Sequence, residues 1–395
     1  MSKIFEPRVD DKIQDFNEQI RAAADRLFAL IDQFSQTRVL VVGDLTLDEF
    51  LTGQVERISR EAPVLILRHE HTRQIPGGGA NAVYNFAKLG AQVKVVGLVG
   101  KDTQGEAMAR IFSEAGIDIS GMLLDPYRPT VTKTRISGHA RQSVTQQIVR
   151  VDRKSDDPAD PELQLQLAEF IKAQLDQDSQ DIQAIICSDY GDGVLNPAVI
   201  AAVLSSRVSQ QEATAVIGNG QDNQIQQVTE ANQPDQVNQS HQPHQIPIIV
   251  DTQKDLHRFA GATLFTPNLP EAELAVGYRI KDAQTLTQAG KDLLALTQAE
   301  KMLITRGEEG MTLFDRDGSE FHIPAFNRTD VFDVTGAGDT VVAALTLALC
   351  CGATFWEAAV LGNLAASIVV RVFGTATTNT SELKAALHNF LEEGI

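Results

Sequence analysis

The sequence predicts an α/β fold: a mostly parallel sheet with helices on both faces, and a small β lid beside it. Three observations carry this. Between residues 38 and 372, short β-branched apolar runs alternate with stretches of helical length and period, the pattern of a wound parallel sheet. Two tracts, about 50–75 and 130–153, break that rhythm with polar–apolar alternation, as half-exposed strands outside the main sheet do. Late in the chain a glycine turn, Gly336-Ala337-Gly338-Asp339, opens an apolar run of helix length.

The elements follow in order. Residues 10–34 repeat Ile13, Phe16, Ile20, Ala23, Ala24, Leu27, Ile31 and Phe34 at helical spacing. Residues 1–37 therefore read as an N-terminal helical extension that packs on the domain 38–395, with partner binding as the alternative use. Arg38 to Gly43 is a continuous, β-branched strand that runs into Asp44 and Asp48. Carboxylates at the end of a parallel strand lie where such sheets bind ligands; two Asp in a polar loop is the plain alternative. Pro76-Gly77-Gly78-Gly79-Ala80-Asn81 precedes a helix to Leu89, and its glycines either admit a ligand closely or only form a loop. A strand at 92–99 and a helix at 103–114 come next. The second lid tract reads as strands 131–136 and 146–152, with a turn at Ser137-Gly138. Its Lys133, Arg135, Arg141 and Arg150 form either a solvated face or a phosphate-capturing cluster.

Residues 163–175 are helical, 184–188 a buried strand ending at Asp189-Tyr190, and 199–204 the start of a helix. Residues 208–245 are rich in Gln and Asn and poor in apolar side chains. Such a tract cannot bury enough surface to offset its ordering entropy, so it reads as a disordered surface insertion. Beyond it lie strands at 246–250 and 301–305, a hairpin at 311–321 around Asp317-Gly318, and helices at 341–351, 354–372 and 381–391.

Composition narrows the function. The 395 residues carry a net charge of −18, which repels phosphate backbones and argues against nucleic-acid binding. Three cysteines and no C-x-x-C argue against a disulfide framework or zinc site and for a reducing, cytoplasmic setting. No signal-like segment opens the sequence, and its longest apolar run is too short to span a bilayer.

The chemistry centres on the glycine turn. A helix N-terminus offers unpaired N–H groups and a partial positive charge to an anion. Asp339 beside that anion suits a general base; an Asp N-cap is the bland alternative. Gly97 to Asp102 has the wrong spacing for a P-loop, and Val341 stands where a dinucleotide fingerprint needs its third glycine. H-E-x-x-H and G-x-S-x-G are absent. Phosphoryl transfer by positioning and charge stabilisation remains.

Asp333 to Thr340 together resemble the C-terminal signature of the ribokinase-like (pfkB) carbohydrate kinases. The resemblance extends over roughly 38–385, through Gly43-Asp44, Leu47-Asp48, residues 57–63, the glycine motif to Asn81, residues 132–135, Ser188-Asp189-Tyr190, residues 266–271 and Thr305-Arg306-Gly307. It is nearest to the heptose 7-phosphate kinases of ADP-heptose synthesis, which act at O1. It implies that Gly336, Ala337 and Gly338 form an anion hole and that Asp339 takes the sugar proton. It implies sugar contacts from Asp48, Gly78 and Asn81, with the lid residues Lys133 and Arg135 on a substrate phosphate. Asn268, Glu271, Thr305, Gly307 and Asn363 are implied around ATP, with Glu271 ordering Mg2+ through water. Asp333 is implied in a monovalent-cation loop suited to K+, and the lid in a homodimer. The chain departs from those kinases at Asp192, where they have Lys, and at Asp251-Thr252-Gln253 for Asp-Pro-Lys, with Lys254 next. No H-x-G-H motif of the nucleotidyltransferase half of bifunctional members occurs, so the expectation is the kinase step alone. The rivals are another kinase of this family, for ribose, fructose or a nucleoside, and a non-catalytic sugar-binding protein on the same fold.

Overall fold

The structure, a computed structural model, describes residues 9–140, 144–177, 181–218, 246–326, 331–372 and 374–394. The chain runs α1 (Val9–Gln33), β1 (Arg38–Gly43), β2 (Leu45–Ile58), β3 (Leu65–Gly78), α2 (Gly79–Lys88), β4 (Gln92–Gly100), α3 (Thr103–Glu114), β5 (Asp118–Asp125), β6 (Val131–His139) and β7 (Gln146–Arg153). It continues through α4 (Pro161–Gln177), β8 (Ala184–Asp189), α5 (Pro197–Gly218), β9 (Ile248–Thr252), β10 (Leu264–Phe265), α6 (Leu269–Val276) and α7 (Ala283–Thr297). It closes with β11 (Lys301–Thr305), β12 (Met311–Asp315), β13 (Glu320–Ile323), α8 (Ala337–Cys350), α9 (Phe355–Val369) and α10 (Thr380–Glu393).

Nine strands form one sheet in the order β13-β12-β11-β10-β9-β8-β1-β4-β5. All pairings from β11 to β5 are parallel; only the β11-β12-β13 edge is antiparallel. Strand periodicity splits the core in two. Val39 and Val41 of β1 face a cluster with α2, α8, α9 and α10, and Leu40 and Val42 face one with α4, α5 and α7. Because the strands are parallel, the C-terminal ends of β1, β8, β9 and β11 share one edge, the usual ligand edge of such sheets.

The lid is a second sheet of four strands, β3-β2-β6-β7. Its strands differ from the sequence reading in two ways. β2 begins at Leu45 and β3 ends at Gly78, so both reach down to the core instead of stopping at about 50 and 75. Residues 137–138 make no turn: β6 runs straight through them. A Cβ on Gly138 would lie 2.7 Å from Ile148 and 2.8 Å from Val55, so this glycine serves packing inside the lid. Edge strand β5 was not anticipated, because Asp118, Ser120 and Gly121 dilute its apolar signal. α5 extends to Gly218, beyond residue 208 where the sequence places the start of the insertion; Arg141 and residues 219–245 lie outside the described residues.

α1 packs as an integral layer. Phe16 and Leu27 sit in the same core as α9 and α10, Arg26 bonds Glu357 at 2.7 Å, and Lys384 pairs with Asp32. Among the described residues no helix is long and apolar enough to cross a membrane.

Asp102 fastens the lid to the core. It caps α3 through Gly105 N at 2.8 Å and accepts from Thr130 N at 2.9 Å and Thr130 Oγ1 at 2.6 Å, just ahead of β6. Burial favours its neutral form, but these bonds outweigh that and hold its carboxyl below the usual range. Asp102→Ala should cost about 2 kcal/mol of unfolding free energy, measured by urea denaturation at pH 7. Because the folded-state pKa is lowered, that difference is present above about pH 4 and shrinks on further acidification.

Candidate active site

α8 begins without a side-chain cap. Gly336 occupies the N-cap position at φ +80°, a conformation that favours glycine. A Cβ there would also lie 2.6 Å from Asn81 Nδ2. Five other helices, α3, α6, α7, α9 and α10, are capped by an Asp, Asn or Thr side chain. The Ala337 amide turns back to Val334 O at 3.1 Å, and the other first-turn amides of α8, those of Gly338 and Asp339, are left for an outside anion. Asp339 is the third residue of the helix, so the N-cap alternative does not hold.

Asp339 is only 3 % exposed. Asn81 Nδ2 donates to its Oδ2 at 2.7 Å, and the Tyr190 hydroxyl donates to Oδ1 and Oδ2 at 3.3 and 3.4 Å. Burial pushes its pKa up to about 7 against those two donors, and the charge of Asp48 adds to the rise. Behind Asn81 a buried polar chain continues. Asn85 Nδ2 donates to Asn81 Oδ1 at 3.2 Å, and Thr340 Oγ1 donates to Asn85 Oδ1 at 2.9 Å. Asn85 and Thr340 were not singled out in the sequence; Asn85 sits four residues after Asn81, on the same face of α2.

Two cavities meet at this turn. One, about 730 Å3, is lined by Asn268, Thr305, Gly307, Val334, Gly338 and Asn363 among others. The other, about 170 Å3, is lined by Asp189, Tyr190, Asp251, Glu271, Gly336 and Asp339 among others. They share Asn268, Thr305 and Gly338, and a Cβ on Gly338 would meet nothing within 4 Å. Asn363 ties its Nδ2 to Pro324 O at 2.8 Å and so fixes a wall of the larger cavity.

Asn268 and Glu271 form a capping box on α6, with Asn268 N to Glu271 Oε2 at 2.8 Å and Glu271 N to Asn268 Oδ1 at 3.0 Å. Among the described residues no Lys or Arg lines the smaller cavity, though Asp189 in that lining pairs with Arg258 at 3.1 Å. Asp251, enclosed at the end of β9, has its pKa raised first by burial and then by Asp339 and Glu271. Unneutralised oxygen donors suit a hard cation. No three acidic, His or Cys groups among the described residues come close enough to hold one directly.

At the lid, Asp48 is buried and paired with Arg135 at 2.5 Å. The residue crowding its carboxylate is Gly77, where a Cβ would lie 2.3 Å away; Gly78, at φ +53°, faces Thr46 instead. Lys133 places its ammonium 5.9 Å from the Tyr190 ring centroid. Arg150 turns away, paired with Asp152 at 2.8 Å. Asp192 is half-buried near Lys154, and Lys254 lies against Gly191, within 4 Å of a Cβ built there. Asp44, in place of a ligand role, gathers the amides of Tyr190, Asp192 and Val194 at 2.9–3.0 Å. Asp333 accepts from Thr335 N and Oγ1 at 3.0 and 2.6 Å and from Gly374 N at 3.0 Å, joining two loops.

Residues 36–184 and 196–382 match the model of the pfkB family of carbohydrate kinases. The chain belongs to that family. It is a phosphotransferase acting on a sugar hydroxyl. "Bifunctional protein HldE" of Geobacter metallireducens is 41 % identical over 345 residues, 87 % of this chain and 61 % of that protein. The protein of the same name from Geotalea uraniireducens is 38 % identical over 91 % of this chain and 64 % of its own length. This kinase thus spans less than two thirds of the relatives it matches. Arabidopsis thaliana ribokinase, solved with ribose and ATP, has the same fold at a TM-score of 0.61 and 16 % identity, covering 89 % of this chain and 98 % of that one. Escherichia coli phosphofructokinase-2 with potassium gives 0.63 and 17 %, over 89 % and 99 %.

Gly336→Ala should strain the backbone and displace Asn81 without touching the core. Turnover should fall at least tenfold while the thermal midpoint drops by only a few degrees, since a left-handed non-Gly residue costs about 1–2 kcal/mol. Circular dichroism melts and initial rates check both.

Proposed function

We propose that this kinase transfers the γ-phosphoryl group of ATP to a sugar-phosphate hydroxyl, with O1 of heptose 7-phosphate as the specific acceptor. The observation that carries the proposal is the junction of the two cavities at Gly338, with Asp339 buried alongside. The larger cavity has nucleotide size, and the uncapped turn of α8 lies where the transferred group would pass. Asp339 takes the proton of the acceptor hydroxyl as its oxygen attacks the γ-phosphorus, and ADP leaves with the bridging oxygen. Gly336 and Gly338 offer backbone amides to the developing charge, while Ala337, whose amide donates to Val334 O at 3.1 Å, shapes the turn. Asp48 and Asn81 orient the sugar, while Thr305, Gly307 and Asn363 border the nucleotide. Glu271 and Asp251 would hold hydrated Mg2+, which neutralises phosphate charge when bound. K+ is assigned to the Asp333 loop on the family resemblance.

Lys133 is the lid cation we assign to the substrate phosphate. Arg135 is committed to Asp48, so its role is to hold that carboxylate for the sugar. The exposed apolar side chains Ile58, Leu65, Val149 and Val151 on the lid support a homodimer through that sheet. The heptose assignment rests on the motif resemblance and the likeness to HldE proteins.

ADP release over a panel of sugars and sugar phosphates tests the acceptor. Heptose 7-phosphate should give the highest kcat/KM, and a plain pentose or hexose winning would replace the assignment. Lys133→Ala should raise KM for a sugar phosphate about tenfold more than for its unphosphorylated analogue, the worth of one charge-assisted bond. Arg135→Ala should weaken both alike. Because the ionised Asp339 is the working form and its pKa is pushed up to about 7, kcat/KM should fall as pH drops below 7. A flat profile from pH 5.5 to 8 would contradict the base assignment.

A further inference from the structure

The loop after β8 places a tyrosine on the proposed base. Tyr190 is held from three sides. Its backbone N–H donates to Asp44 Oδ2 at 2.9 Å. Its ring faces the Lys133 ammonium at 5.9 Å. Its hydroxyl donates almost evenly to both carboxylate oxygens of Asp339, at 3.3 and 3.4 Å. Asn81 of α2 donates to Oδ2 of the same carboxylate at 2.7 Å. Two donors from separate elements therefore fix the carboxylate plane.

We infer that Tyr190 is a positioning residue of phosphoryl transfer: its hydroxyl fixes the carboxylate of Asp339 and supports its ionised, proton-accepting form. The inference rests on the reading of Asp339 as base. Burial, then the charges of Asp339 and Asp251, hold the phenol well above its ordinary pKa, so it stays a donor throughout the working range. Among the described residues the charged groups acting most on this pair are Asp48 from β2, Lys133 from β6, Asp251 from β9 and Glu271 from α6. Three of these four are acidic and disfavour a carboxylate at 339; only Lys133 favours it. The hydrogen bonds from Asn81 and Tyr190 are thus the main local support for the ionised form.

Tyr190→Phe keeps the ring and its contact with Lys133 and removes only the donor. With the best acceptor of the panel and Mg·ATP, the acid limb of kcat/KM should move up by about half to one pH unit. The variant should then lose roughly three- to tenfold at pH 6 and less than about threefold at pH 9. A carbon-13 titration of the aspartate carboxyls, with Asp339 assigned by the signal missing in Asp339→Asn, should show the same upward move. Superimposable titration midpoints in wild type and Tyr190→Phe would overturn the inference, as would a loss of rate uniform with pH. The base reading fails separately: normal turnover in Asp339→Asn would remove it, while the titration would still judge the contact between Tyr190 and Asp339.

Discussion

The 2.7 Å hydrogen bond from Asn81 to Asp339 joins α2 to α8 across 258 residues of sequence, and much of the site follows from it. α2 starts from the glycines that end the lid strand β3, so the bond fixes the lid's root against the glycine turn. It forces residue 336 to lack a side chain, because any Cβ would strike the amide of Asn81. It also requires Asn85 and Thr340, which satisfy the far side of that amide inside the core. A buried amide without partners would cost roughly 1–3 kcal/mol, so the four side chains stand or fall together.

Charge distribution explains the remainder. The chain is acidic overall, and the smaller cavity gathers Asp251, Glu271 and Asp339 with no basic side chain among the described residues of its lining. Burial first, then the charge of Asp48, pushes Asp339 up to about 7, and burial with the charges of Asp339 and Glu271 holds Asp251 well above the ordinary carboxylate range. Such a site favours hard cations and, in their company, polyphosphates. Two basic groups stand on the lid, Lys133 over Tyr190 and Arg135 on Asp48, and on the core side Arg258 pairs with Asp189 and Arg306 lines the larger cavity.

Much of this was legible in the sequence. β1, β8 and β9 announce themselves as β-branched runs, and Gly336 to Asp339, by itself as readily a capped glycine turn, stands out only within the eight residues Asp333 to Thr340. What was not legible depended on long-range packing. Gly138 looks like a turn residue, and only the approach of Ile148 and Val55 shows it serving a strand. Asn85 reads as an ordinary helix residue until Thr340 meets it. Arg135 and Arg150 look equivalent in a basic cluster, but Asp48 claims one and Asp152 the other. Asp44 looks like a ligand from its place after β1, yet three backbone amides consume it. Pairing partners distant in sequence decide such roles, and local pattern carries no record of them.

The central claim is that Asp339 removes the acceptor proton beside an anion-binding helix start. The most direct measurement is kcat of Asp339→Asn, taken with its melting curve and an Mg·ATP binding isotherm. The account predicts a fold and nucleotide affinity close to wild type, with kcat lowered about 10²- to 10⁴-fold, the usual worth of a positioned base. Turnover within a few-fold of wild type in a folded, nucleotide-binding variant would contradict it.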